Sequence, residues 1–127
     1  MKREIPVRLL GDPAWRAALH ILTCPMLNDR DEVWRHVDLG RGSIDFKAMM
    51  KGAWHTGGSI RMVKLAASIF TTGYKVNLWA DLGGLDSKNS RVVIEAMKLF
   101  AFDPIGDAMV ERLDAYAREH GEKTGAL

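Results

Sequence analysis

The residues best suited to chemistry in this chain are cations at helical spacing. Arg61 and Lys64 stand three apart, and Lys88, Arg91 and Lys98 recur at intervals of three and seven. Such spacing lines one face of a helix, where guanidinium and ammonium groups meet phosphate oxygens or an acidic partner. Ser87 and Asn89 lie among them and are side-chain types that reach phosphates and base edges. A second group is His55-Thr56-Gly57-Gly58-Ser59, a glycine loop feeding a helix N-terminus. Unpaired amides and the helix dipole favour an anion there, with Gly57, Gly58 and Ser59 as its cradle. The run lacks the lysine and spacing of a nucleotide-binding P-loop, so nucleotide hydrolysis is not expected. The simpler role is that the two glycines turn the chain while Thr56 or Ser59 caps the helix.

Other combinations are poorer. His20 and Cys24 are four apart, a spacing that can put two ligands on one metal, but His36, His55 and His120 supply no second pair. A half-buried Cys24 with no metal is the expectation, and nothing in the sequence activates it as a nucleophile. Asp107, Glu111 and Asp114 read as a solvated helix face rather than paired catalytic carboxylates. Trp15, Trp34 and Trp79 fall within apolar periodicity and are expected in the core, while Trp54 in its glycine-rich loop should be partly exposed. No cluster has the spacing of a catalytic or metal centre, so the reading is non-enzymatic, without cofactor.

The elements that position these residues are bounded by composition. At 127 residues, 47% hydrophobic and 27% charged, the chain is of single-domain size and globular. One cysteine excludes an intramolecular disulfide, and residues 1–10 lack a signal-peptide pattern. With no apolar run long enough to span a bilayer, a cytoplasmic protein is expected. The net charge of +2 conceals a division: residues 41–98 carry nine basic and four acidic side chains, residues 99–127 three and six. A basic middle suits phosphates or an acidic partner.

The pattern predicts a mainly α fold, a compact single-domain bundle of about five or six helices over 1–127, with residues 1–11 as an extended arm or strand and 122–127 as a frayed tail. Ile5, Val7 and Leu9 alternate with polar or proline positions, as an edge strand does. Asp12-Pro13 is a helix start, with Trp15, Leu19 and Leu22 on the buried side, Arg16 and His20 facing away, and Pro25 as the stop. Val33, Val37 and Leu39 fit either a short helix starting near Asp31, which is preferred, or a strand with polar Arg35 alternating, and another short helix is expected from Ser43 through Met50. Helices over 59–72, ending in a left-handed Gly73, and over 86–101, capped by Asp86, are the most apolar and are expected at the centre. Phe100 should point inward. Between them Asn77–Leu82 makes a short helix and Gly83-Gly84 a sharp turn. Asp103-Pro104 opens an amphipathic last helix to about His120.

From Ser59 to Ala101 this arrangement resembles a helix-turn-helix, with Ala80 four residues before Gly84 and a second helix whose first turns carry Ser87, Lys88, Asn89 and Arg91. It departs from that pattern at Ser90, normally apolar, and at Gly83. The resemblance implies DNA contact through the second helix. The functional expectation is a basic helical face on nucleic acid, alone or within a nucleoprotein assembly. The alternative is a protein–protein assembly subunit, perhaps a homodimer, with no nucleic-acid contact.

Overall fold

A computed structural model describes residues 5–51, 54 and 56–101. The described chain is mainly α-helical, and its elements run α1 (Val7–Leu10), α2 (Pro13–Leu22), α3 (Asp31–Trp34), β1 (Val37–Asp38), β2 (Ser43–Ile44), α4 (Phe46–Met49), α5 (Gly57–Phe70), a five-residue π turn (Leu78–Leu82) and α6 (Ser87–Ala101). The last helix expected over Asp103–His120, its acidic face and the tail 122–127 lie outside the described residues. Among the described residues no helix is long and apolar enough to cross a membrane.

Helix α2 begins as its sequence dictates. Asp12 Oδ1 accepts from the amides of Ala14 (2.8 Å) and Trp15 (3.4 Å), and Pro13 needs no partner for an N–H it lacks. It stops three residues before Pro25, where the Thr23 hydroxyl donates to the Leu19 carbonyl at 2.7 Å. The centre of the fold differs from expectation. Ala17, Ala18, Ile21 and Leu22 are fully buried, and α2 packs on both α5 and α6 more extensively than those helices pack on each other. A one-sided apolar stripe understates this helix: Ala17 and Ile21 extend the buried surface beyond it, and two adjacent alanines let neighbours approach closely.

The expected N-terminal arm is instead a helical turn. Pro6 holds an extended backbone (φ −56°, ψ 135°), and the Gly11 amide closes α1 on the Val7 carbonyl at 3.3 Å. Alternation had suggested a strand because three apolar residues cannot distinguish a period of two from a single turn. Within α1 only Leu9 is buried, where it meets Trp15 and Leu19, and Ile5 packs against the same cluster, while Val7 is 84% exposed.

The helix from Asp31 lasts one turn, after which β1 and β2 form a two-stranded antiparallel ribbon pairing Val37 with Ile44 and Asp38 with Ser43. Asp38 organises its loop: the side chain accepts from the Arg41 amide (3.0 Å) and the carbonyl from the Gly42 amide (2.8 Å). Gly42 takes φ +76°, which favours glycine. Arg8 of α1 donates to the Gly40 carbonyl, tying the ribbon to the N-terminus. Ser43 is therefore a strand residue, and α4 is opened by Asp45, whose carboxylate accepts from the Ala48 amide at 3.0 Å. Gly73 likewise does not cap α5, which ends when Thr71 turns extended (φ −151°, ψ 152°).

Two apolar clusters share Trp34, Val37, Ile44 and Phe70. A run of edge-to-face rings threads them: Trp15 to Phe70 (5.1 Å between centroids), Phe70 to Phe46 (5.5 Å) and Phe46 to Tyr74 (6.1 Å). Such pairs add stabilisation beyond burial alone. Phe46 is fully buried and makes two of the contacts. Phe46→Ala should lower the unfolding free energy by about 3–5 kcal/mol in a urea titration, and Phe46→Leu by clearly less, because leucine refills most of the cavity.

Candidate nucleic-acid interface

Helix α6 carries most of the candidate face. Its cap is Asp86, whose carboxylate accepts from the Asn89 amide at 2.8 Å. Val93 and Ala96 are buried, and Ser87, Lys88, Arg91 and Lys98 are exposed. Asn89 does not join them. It lies four residues before Val93 and seven before Ala96, the period of the buried side, and its side chain is 9% exposed, so it is removed from the set of contacting residues. Phe100 departs the other way: expected inward, it is 46% exposed near the helix end.

Glu95 sits in the same row as the cations, and its carboxylate oxygen approaches His20 Nε2 of α2 at 3.4 Å. His20 thus faces α6 rather than solvent. The contact lacks hydrogen-bond geometry, since the same nitrogen has no hydrogen-bond partner.

At the start of α5, Thr56 and Ser59 cap each other. Thr56 Oγ1 accepts from the Ser59 amide (3.2 Å), and Ser59 Oγ accepts from the Thr56 amide (2.7 Å). Ser59 is buried with its amide satisfied, which makes it a helix cap rather than part of a solvent-facing anion cradle. Gly58 lies against Met26, whose Cε would stand 3.2 Å from an added Cβ. Gly57 lies beside Arg61, whose Nη1 would stand 3.4 Å from one. His55 lies outside the described residues.

Arg61 also crosses to the other helix. A Cβ on Gly84 would stand 2.9 Å from both its Nε and its Cζ, so the guanidinium lies over the turn that precedes α6. Gly57, Arg61 and Gly84 are thereby brought together, which puts Arg61 at the N-terminal end of α6. Lys64 is exposed one turn further along α5.

The turn itself is tightly built. The Gly83 amide donates to the Leu78 carbonyl (3.2 Å), a five-residue closure that makes Leu78–Leu82 a π turn. Asn77 Oδ1 accepts from the Ala80 amide (3.3 Å), and Asp81 Oδ2 accepts from the Asn77 amide (3.0 Å). A Cβ on Gly83 would meet the Trp79 carbonyl oxygen at 2.3 Å, and one on Gly84 the Ala80 carbonyl oxygen at 2.6 Å. No side chain fits at either glycine. The Ser90 hydroxyl reaches the Leu82 carbonyl at 3.5 Å, where a helix-turn-helix has an apolar contact. The π turn buries none of its residues fully.

Trp79, expected in the core, is 90% exposed, and its neighbour Leu78 is 56% exposed. Five residues are too few to establish which way a turn rolls, so periodicity gave no warning of this. Trp15 is buried, and Trp54 is half-buried with its indole N–H donating to the Met49 carbonyl (3.2 Å).

Cys24 lies beyond the end of α2, which removes it from the helical spacing with His20. Among the described residues no three His, Cys, Asp or Glu side chains converge as a metal-binding group. No family model, no curated protein and no solved structure matches the chain. Burial in the apolar core pushes the Cys24 thiol up from its ordinary value. As pH rises, the unfolded chain therefore releases this proton first, and folded stability contributed by the neutral thiol is lost above the ordinary thiol range. Wild type should lose stability more steeply with rising alkaline pH than Cys24→Ala, measured as the difference in denaturation midpoints across a pH series.

Proposed function

We propose that the chain is a small, single-domain, non-enzymatic binding module that holds nucleic acid through the cations of α5 and α6, with phosphate contacts outweighing sequence reading. Arg61, Lys64, Lys88, Arg91 and Lys98 are its contacting residues, with Ser87 as a hydrogen-bonding neighbour. The observation that carries this reading is the exposed row Lys88, Arg91 and Lys98 on α6, met at its N-terminal end by Arg61 reaching over from α5. The cations stand away from the buried Asn89, Val93 and Ala96, as a face that must reach phosphates requires. Asp86, the carboxylate at that end, is engaged with the Asn89 amide. With Asn89 in the core and Ser90 tied to Leu82, base-edge reading through the first turn of α6 has few side chains left. Non-specific backbone contact is the simpler outcome.

A second reading, an assembly subunit, is favoured by the exposed apolar side chains Leu78, Trp79, Ile94 and Phe100. Light scattering separates its homodimeric form: a monomeric mass at working concentration removes it.

For the leading reading, anisotropy of labelled oligonucleotides across a salt series is decisive. Lys88→Ala with Arg91→Ala should weaken binding to every nucleic acid tested and lower the salt slope by roughly two, about one per lost contact. Unchanged affinity in this double variant would overturn the α6 row as the interface.

A further inference from the structure

The most exposed large apolar side chain among the described residues is Trp79. We propose that its indole is a stacking platform for an unpaired nucleobase, so that the basic face takes single-stranded nucleic acid in preference to duplex. This rests on the nucleic-acid reading above and adds to it the class of ligand.

The backbone under Trp79 is fixed. Asn77 and Asp81 close the π turn with side-chain hydrogen bonds at both ends, and the Gly83 and Gly84 amides close it on Leu78 and Ala80. The π closure also decides which residues face the core. Leu82 and Leu85 pack against the main cluster, whereas Leu78 and Trp79 remain outside it. With the backbone beneath it hydrogen-bonded, the ring has only its two side-chain torsions to fix when it binds, which suits a stacking contact.

The surroundings choose between possible occupants. Gly83 and Gly84 are the junction: the Trp79 carbonyl abuts the first and the Arg61 guanidinium covers the second. Lys88 and Arg91 are exposed on the first turns of α6 just beyond. The carboxylates nearest in the chain, Asp81 and Asp86, each accept a backbone amide, so they are held toward the turn's own backbone while keeping their charge. An exposed indole on the turn that leads into a basic helix end is complementary to a polyanion that carries π faces. Unpaired bases offer those faces, whereas duplex bases are stacked on one another and present only their edges in the grooves.

The test uses the full chain with a labelled oligothymidylate, the matching oligouridylate and a duplex of equal length, read by anisotropy. Trp79→Ala should weaken the single strands about tenfold, within the range of one stacked base, and leave the duplex within about twofold. Trp79→Phe should retain most of the affinity. In wild type the single strand should quench the emission of the solvent-exposed tryptophan, and Trp79→Phe should remove that quenching. Equal loss for single strand and duplex, or no loss for either, overturns stacking while leaving the basic face standing if Lys88→Ala with Arg91→Ala still weakens both. No binding of any oligonucleotide by wild type overturns both proposals. Because Trp79 makes no core contact, an unchanged circular dichroism melt is expected for both variants and keeps the comparison interpretable.

Discussion

Everything described here depends on the close approach of α5 and α6 to α2. That approach is possible because α2 presents Ala17 and Ala18 beside Ile21 and Leu22, all fully buried. Alanine gives up no side-chain freedom on burial, so it brings helices together without the entropic cost of a long side chain. Bulkier residues at 17 or 18 would force the neighbouring helices outward, and the π turn that leads into α6 is itself tightly closed. The turn is closed by hydrogen bonds at both ends and has no room for a Cβ at either glycine.

That second constraint converts core packing into surface arrangement. Arg61 belongs to α5, yet its guanidinium occupies the space left open by Gly84. The same missing side chains allow the chain to pass from the π turn into α6 within four residues. The rotation of α6 is set by the inward period Asn89, Val93 and Ala96 and steadied by Glu95 approaching His20. Once that rotation is fixed, Lys88, Arg91 and Lys98 have nowhere to go but solvent. The basic face is therefore a consequence of how the apolar side packs.

The sequence was most readable where a local rule applied over a long stretch. Asp12-Pro13, Asp86 and the Thr56–Ser59 pair are capping chemistry contained within a few residues, and each is present. The mainly α character also followed from long apolar periods. It was least readable in short segments: the turn at Val7–Leu10 and the ribbon at Val37–Ile44 span too few residues to fix a period, while the helical turn expected at Asn77–Leu82 is present at Leu78–Leu82 and only its outward roll was not foreseen. Asn89 was misplaced for a different reason. Its polar type suggested the surface, but its spacing from Val93 and Ala96 held the correct answer. Trp79 had no such signal, because its exposure follows from a five-residue hydrogen-bond closure that leaves no mark in composition.

The spacing of the cations shapes what such a face can do. From Lys88 to Lys98 the helix rises about 15 Å, longer than the Debye length of about 10 Å at 0.1 M salt. The two ends of the row are thus nearly independent at ordinary ionic strength, while Lys88 and Arg91, one turn apart, still act together. Arg61 adds its charge at the Lys88 end. The cations are densest where α6 begins, offset there by Asp81 and Asp86, and thin out toward Lys98, with Glu95 lying between. In the proposed reading, a flexible strand would follow such an uneven row more readily than a stiff duplex. The nucleic-acid contact proposed above would therefore centre on the N-terminal end of α6, where the row of cations meets the Gly83-Gly84 turn.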